Sequence, residues 1–559
     1  MPFIVLTLSF WLSVYFTHQP AQKLFVTATG ELWLDLCFLT VLLQFLPSKV
    51  RNVVNGIICF LGCSVAFIEA FLFKRFGLLY SPSMLQMVAE TNSGETSEFF
   101  HAVGESECLM PTLLPFLLLF LLAIAGIYLT RKWNLRSFLS TKIIALIAVT
   151  VLLISFGDSW SKDWNTRWNH LQMKESRQVE RTNSKCYNRP TLRLLYAEKF
   201  WKLTRNEADD FVKNTQKMVE NYTAAVTDSC PDIILVIGES YNKNHAQIYG
   251  YPRPTTPHMK VLKNLDETAV FCNVHSSWNI TSQVFKELFS THSVDEAGIW
   301  ADGMLWPALL KKAGYDTAFF TNQYNDTGSR QNKIDFSGSF FLNTPALDTL
   351  AFDHRNEKRY QFDGDFIKNE LPEMCDKPQF HIIHLVGQHL EAKLRVPDGQ
   401  KKWTAKDIQR DDLNEKQRQT VADYDNATLY NDSVFYQICR HYRGRNAIVI
   451  YFSDHGEDVY DHQPLRYGRN HTENPSKETL SAEYDVPMIA WFSPTFKKTN
   501  PEVVKTVQNA VNQEFMTDDV CHFVLGLAHL TSAPYDARRD LFNVLYSPRV
   551  RYVRGKKWE

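Results

Sequence analysis

Most of the long apolar runs of this chain are gathered at one end. They lie before about residue 157, and the remainder reads as soluble globular sequence. Five runs, roughly 3–17, 25–46, 53–73, 111–130 and 142–157, approach the length needed to cross about 30 Å of hydrocarbon. The first has neither a basic leader nor a small-residue cleavage site, so it reads as a span rather than a signal peptide. Lys49 and Arg51 lie between the second and third runs, and Arg131, Lys132, Arg136 and Lys142 between the fourth and fifth. Loops rich in Lys and Arg stay in the cytoplasm. The connection 17–23 and the loop 74–110 then face outward, although Lys74 and Arg75 count against this, and everything after the fifth run lies outside the cytoplasm. A chain of 559 residues exceeds one compact core, so at least two domains are expected. Its 60 Lys and Arg balance 61 Asp and Glu, which excludes the basic excess of a nucleic-acid binder.

In the polar part, short apolar strands alternate with helical patterns from Pro231 onward. Strands are predicted at 232–237, 317–322, 380–387, 446–452 and 486–492, and helices within 303–313, 415–441 and 500–527. This alternation predicts an α/β domain with a mainly parallel sheet covered by helices. Two strands end in chemistry. The first leads into Gly238-Glu239-Ser240, and the fourth into Ser453-Asp454-His455-Gly456-Glu457. Open α/β sheets assemble sites at such C-terminal strand ends. Carboxylates there are costly unless paired or metal-bound, and Glu239, Asp454 and His455 offer oxygen and nitrogen ligands suited to zinc. The alternative role is capping of strand-to-helix turns.

Thr281 stands where 279–283 enters an apparent helix over 284–290. A hydroxyl at a helix start feels the positive end of the dipole, and coordination to a metal can activate it as a nucleophile. Thr281 or Ser282 could equally serve as a plain cap. His384 and His389 flank Gly387 after a strand, and His471 comes after Gly468-Arg469-Asn470, with His462 as a competitor for its role. Segment 189–213 reads either as a helix in the lipid headgroup layer or as one packed on the soluble domain. Among ten cysteines, Cys37, Cys59 and Cys63 fall in apolar runs and the other seven outside them. An oxidising compartment permits disulfides there, but the spacing dictates no pairing.

In this order the pieces resemble the phosphoethanolamine transferases of Gram-negative bacteria, within the alkaline phosphatase and sulfatase superfamily. The resemblance is carried by Ile237-Gly238-Glu239-Ser240, Tyr249-Gly250-Tyr251-Pro252-Arg253 and Thr255-Thr256-Pro257. It continues through the Thr281 segment, His384-x-x-Gly387-x-His389, Tyr424-Asp425-Asn426 and Ser453 to Glu457. It implies an α-helical membrane domain of five transmembrane helices over 1–157, a linker over 158–230 and a periplasmic alkaline-phosphatase-like domain over 231–559. By the same resemblance Glu239, Thr281, Asp454 and His455 surround zinc (Zn2+), one ion or two during turnover. Thr281 would take phosphoethanolamine from phosphatidylethanolamine and pass it to a glycolipid or glycan acceptor, such as lipid A or lipopolysaccharide core. His389, His471, Asn322 and His384 would bind substrate or a second metal. Phe76 to Tyr80 and Ala89 to Asn92 resemble a segment near the lipid donor. The implied location is the bacterial inner membrane, crossed several times. Two departures stand out: Leu390-Glu391 comes after His389 where the family has Gly-Pro, and the region around His471 is looser.

Rival readings share the fold or discard the chemistry. A glycerol-phosphate transferase or lipoteichoic-acid-type synthase also uses threonine. A sulfatase would show a Cys/Ser-x-Pro-x-Arg nucleophile signature, which this chain lacks at that position. A non-catalytic membrane sensor would have no need for Glu239, Thr281, Asp454 and His455 together.

Overall fold

The computed structural model describes residues 2–17, 22–43, 45–76, 79–81, 84, 108–132, 168–170, 172–176, 178–179, 190–227, 229–323, 345–389, 391–462, 465–470, 476–554 and 556–558. The chain forms two compact units, one of Met1–Ala89 with Phe99–Arg205 and one of Glu90–Glu98 with Asn206–Glu559.

The first unit is helical: α1 Pro2–Phe16, α2 Gln22–Leu43, α3 Ser48–Phe76, α4 Leu109–Lys132, and the opening of α5 Pro190–Asn221. Phe16, Ala66, Ala70 and Phe116 join α1, α3 and α4, with the Phe16 and Phe116 rings stacked at 6.3 Å. Small residues such as Ala66 and Ala70, one turn apart, let helices approach closely. The same helices turn large apolar groups outward: Leu114, Leu118 and Leu121 are 59%, 59% and 60% exposed. Such an exterior is unfavourable in water and favourable in hydrocarbon. Among the described residues one helix is apolar over a length that crosses a bilayer, at Lys49–Arg75, while Ile4–Phe16 and Leu109–Leu122 are shorter. One of the five expected spans is therefore shown among the described residues, and the fifth candidate, 142–157, lies outside them.

Among the described residues of this unit, Glu69 and Arg193 form a buried charged pair. Arg193 of α5 donates from Nε to Glu69 Oε1 at 2.8 Å and from Nη2 to Oε2 at 2.5 Å. Ser13 Oγ and the Tyr80 backbone N–H also donate to Glu69, at 3.3 and 3.1 Å.

The second unit is built on a seven-stranded sheet. Its strands are β1 Asp232–Gly238, β2 Thr268–Phe271, β4 Asp316–Thr321, β5 His354–Arg355, β6 Gln379–His384, β7 Ala447–Ser453 and β10 Met488–Phe492, in the order β2-β10-β7-β1-β6-β4-β5. The sheet is mainly parallel, as expected; β10 alone runs against its neighbours. Short pairs lie outside it: β3 Asn273–His275 with β11 Glu514–Met516, β8 Asp458–Val459 with β9 Tyr467–Gly468, and β12 Tyr552–Val553 with β13 Lys556–Lys557. Helices α6 Pro257–Asn264, α7 Thr281–Phe289, α8 Pro307–Ala313 and α9 Glu415–Tyr442 cover the sheet. Ile233, Leu235 and Ile237 face a core shared with α7 and α8, whereas Ile234 and Val236 face one shared with α9. A strand buried on both faces reads as a continuous apolar run, which is why β1 and β7 stand out in the sequence.

Two expected elements change. Helix 303–313 begins only at Pro307, since proline suits the first helical turn, whose N–H groups have no partner within the helix. The segment 500–527 is not one helix: Pro501–Asn509 and Val520–Leu527 are separated by β11, which pairs with β3. A long-range pairing thus overrides local helical pattern. From residue 206 onward α5 packs on this unit, with the Phe211 and Trp300 rings 4.8 Å apart and Trp300 Nε1 donating to Glu207 at 3.1 Å. Among the described residues nine cysteines are free and none forms a disulfide.

Replacing Glu69 with Gln removes the carboxylate that pairs with the buried Arg193 guanidinium. Breaking a buried pair costs about 3–5 kcal/mol. Thermal unfolding of the detergent-solubilised Glu69→Gln protein should show a marked loss of stability; an unchanged transition would show that the pair contributes nothing.

Candidate active site

Strand register creates the site. Gly238 pairs with Ser453, Ile237 with both Phe452 and His384, and His384 with Thr321. The ends of β7, β1, β6 and β4 are therefore level, and the residues just past them emerge at one edge. Asp454 N–H donates to Gly238 O at 3.0 Å, and Tyr241 N–H to His455 O at 3.0 Å, tying the two tips together. Glu239, Asp454 and His455 are all fully buried. Thr281 is the first residue of α7, and Ile280 holds the cap position without a side-chain bond. The Thr281 hydroxyl is not spent on capping: Oγ1 donates to Glu239 Oε2 at 3.1 Å and lies 3.4 Å from His455 Nε2.

The electrostatics call for a cation. His455 Nδ1 lies 3.0 Å from the Gly456 carbonyl, so it carries the proton and Nε2 presents its lone pair. Glu239 Oε1 and Asp454 Oδ2 each lie 3.2 Å from that Nε2. Asp454 Oδ2 is buried without a hydrogen-bond partner. Ligand atoms of Glu239, Asp454 and His455 lie within 4.8 Å of one another. Acceptors do not converge in a dry site unless positive charge joins them. Burial, then the Glu239 charge, pushes the Asp454 carboxyl up to about 7. Burial would raise Glu239 too, but positive charge at His455 outweighs it and holds that carboxyl well below its usual range, and a cation on Nε2 would act in the same direction. Three oxygens and one imidazole nitrogen, with Thr281 as the third oxygen, fit tetrahedral zinc.

Residues at the same sheet edge hold this set in place. Gln323 Nε2 donates to Glu239 Oε2 at 3.2 Å and to Leu385 O at 2.8 Å, and Ser240 Oγ donates to Glu239 Oε1 at 2.8 Å. Gly387 has φ +53°, and a Cβ there would meet the Glu239 backbone N and O at 2.9 Å. Only glycine suits both demands. Asp363 fixes this turn by accepting from Val386 N at 3.0 Å, Gly387 N at 2.9 Å and Asn322 Nδ2 at 2.8 Å. Asn322 Oδ1 in turn accepts from Tyr360 N at 2.6 Å, so both ends of its amide are engaged in the wall. His384 is fully buried, with Nδ1 3.2 Å from Thr321 Oγ1 and Nε2 3.1 Å from Gln323 Nε2; burial pulls it down to about 4. His389 is half-buried, and desolvation lowers it to about 3 against the pull of Glu239. His462 sits by Asp458 at 3.7 Å. His471 lies outside the described residues.

Sequence reasoning passed over Gln323, Arg469 and Glu483. Arg469 Nη1 lies 2.8 Å from His455 Nε2 and donates to Asn279 O at 3.0 Å. Buried Glu483 accepts from Asn279 Nδ2 at 2.7 Å and from Asn470 N at 2.8 Å, joining the loop before Thr281 to the loop carrying Arg469. The available signals were faint: Gln323 sits just past a strand end, and Arg469 neighbours the singled-out His471.

The loop after Glu239 is anchored to α9. Tyr424 Oη donates to Ser240 O at 2.6 Å and accepts from Asn242 N at 2.7 Å. His245 is clasped between Asp425 at 2.8 Å and Asp461 at 3.1 Å.

A family model for sulfatases matches residues 231–530, and one for phosphoethanolamine transferase EptA/EptB matches residues 36–170. The chain belongs to the sulfatase family. Proteins named as phosphoethanolamine transferases are among its relatives. Phosphoethanolamine transferase EptC of Escherichia coli (strain K12) is 28% identical over 332 residues, 57% of this chain and 55% of the relative. The chain thus spans about half the length of the curated relatives it matches. The crystal structure of the C-terminal periplasmic domain of EcEptC from Escherichia coli is 28% identical and has a TM-score of 0.50, covering 60% of this chain and 92% of that one. The integral membrane lipooligosaccharide phosphoethanolamine transferase A (EptA) of Neisseria meningitidis shares the fold over 96% of this chain and 97% of its own, at 18% identity and a TM-score of 0.53.

Burial alone would pull His245 down, but the bonds to Asp425 and Asp461 push it up to about 10, above the ordinary 6.5. The stabilisation is then complete below about pH 6.5 and is lost as pH rises toward 10. The unfolding temperature should fall between pH 7 and 10, and fall less in His245→Asn. Parallel pH curves for the two proteins would refute the role of the clasp.

Proposed function

We propose that this chain is a zinc-dependent phosphoethanolamine transferase, taking the headgroup from phosphatidylethanolamine and passing it to an envelope glycolipid or glycan through a covalent phospho-threonine at Thr281. The observation that carries this reading is the Thr281 hydroxyl, 3.1 Å from Glu239 and 3.4 Å from His455 rather than bonded to its own helix. Glu239, Thr281, Asp454 and His455 would hold the ion. Zinc held there lowers the pKa of the Thr281 hydroxyl and neutralises charge on the non-bridging phosphoryl oxygens.

The protein's own groups do the positioning. Thr281 O–H points at Glu239 Oε2, the carboxylate placed to accept its proton, which leaves an Oγ1 lone pair beyond the one given to the ion to meet phosphorus. Burial keeps His389 neutral at pH 7, so its ring N–H can donate to a phosphoryl oxygen without adding charge. Asn322 and His384 act behind it, through Asp363 and Gln323. His471 would serve the same phosphoryl pocket. A phosphorylated threonine lets donor and acceptor use one site in turn, which gives ping-pong kinetics.

The apolar N-terminal helices support a location in the bacterial inner membrane, where a lipid donor is concentrated near the site. The relative described as a periplasmic domain supports placing the catalytic unit in the periplasm. The lipooligosaccharide named for the Neisseria enzyme supports an acceptor of the lipid A or lipopolysaccharide-core kind.

Purified protein given headgroup-labelled phosphatidylethanolamine should release diacylglycerol and carry the label on the Thr281 peptide by mass spectrometry. Thr281→Ala should lose both, with turnover down by about 10⁴ or more. Label on another residue, full activity in Thr281→Ala, or transfer of glycerol phosphate from phosphatidylglycerol instead would overturn the assignment.

A further inference from the structure

His455 has one lone pair to give. Its Nδ1 is committed to the Gly456 carbonyl, and its Nε2 receives Arg469 Nη1 at 2.8 Å. The same Nε2 faces Glu239 Oε1, Asp454 Oδ2 and Thr281 Oγ1, as a ligand to a metal at this site must. An arginine N–H and a metal ion cannot share that lone pair. Whichever binds excludes the other.

We infer that Arg469 is a phosphoryl-binding residue that rests on His455 and is released toward substrate when the metal takes the imidazole. This rests on the proposed zinc site. Three features of the structure carry it. Arg469 keeps a second anchor, the Asn279 carbonyl at 3.0 Å, two residues before Thr281, so release from His455 leaves the guanidinium beside the nucleophile. That anchor is itself fixed, because Glu483 accepts from both Asn279 Nδ2 and Asn470 N. Among the described residues no carboxylate forms an ion pair with Arg469, whereas Arg445, Arg466 and Arg549 each have at least one. A guanidinium with no carboxylate in ion-pair contact among the described residues, held by the Asn279 carbonyl two residues before Thr281, matches the geometry and charge of a tetrahedral phosphoryl group. It would add a second positive group to the metal on the face where charge develops.

The arrangement predicts opposite effects on two ligands. Arg469→Met removes both the competitor for His455 and a positive charge beside the metal, so zinc should bind at least tenfold tighter. The same variant loses the phosphoryl contact, so inorganic phosphate should bind the zinc-loaded protein at least tenfold more weakly. Arg469→Lys keeps the charge but cannot span Asn279 and His455 together, so it should bind zinc more tightly than wild type and retain part of the phosphate affinity. Zinc affinity of the full-length, metal-stripped protein in detergent can be read by competition with a chromogenic chelator, and phosphate affinity by calorimetry after reloading. A residue with only a structural role would weaken zinc binding when replaced, not strengthen it. Unchanged or weaker zinc binding in both variants, or unchanged phosphate affinity, overturns the inference while leaving the zinc site standing. A wild-type protein with no zinc affinity overturns the proposed function and the Arg469 inference together.

Discussion

The register between β1 and β7 brings a glutamate, an aspartate and a histidine to one point, and the rest of the second unit keeps them there. Gly238 opposite Ser453 makes Glu239 and Asp454 neighbours, although 214 positions separate the Asp454 carboxylate from the Ser240 amide it contacts in the sequence. A slip of one residue would turn every side chain of a strand to the other face. Here the strands are buried on both faces, and alternate residues of β1 belong to different cores. The cost of gathering two carboxylates in a dry place is met by that packing and by the positive charge the site is shaped to receive.

The elements visible in the sequence were those whose physical cause is local. β1, β7 and β10 are nearly continuous apolar runs, and the acidic and imidazole groups just past β1 and β7 are conspicuous because they interrupt those runs. Thr281 could be suspected from its place before a helical pattern, but sequence alone left open whether its hydroxyl caps the helix. The contact with Glu239 is what separates those roles. Gln323, Glu483, Asp363 and Arg469 were not legible, because their importance depends on which loops meet across the sheet edge. The division of 500–527 was hidden for a related reason: β11 exists through its pairing with β3, more than two hundred residues earlier in the chain.

The first unit obeys a different logic. Its helices share a small aromatic and alanine contact and turn leucines outward, the reverse of a water-soluble bundle. The Glu69 and Arg193 pair supplies what non-specific apolar packing cannot, a directional bond between α3 and the start of α5. Buried pairs of this kind specify an arrangement more than they add to stability.

Zinc K-edge X-ray absorption of the metal-loaded protein tests the central claim most directly. Four light-atom ligands are expected, one imidazole nitrogen and three oxygens with no sulfur, and the imidazole signal should vanish in His455→Ala. A sulfur-containing shell, or an imidazole signal that survives His455→Ala, would contradict the account.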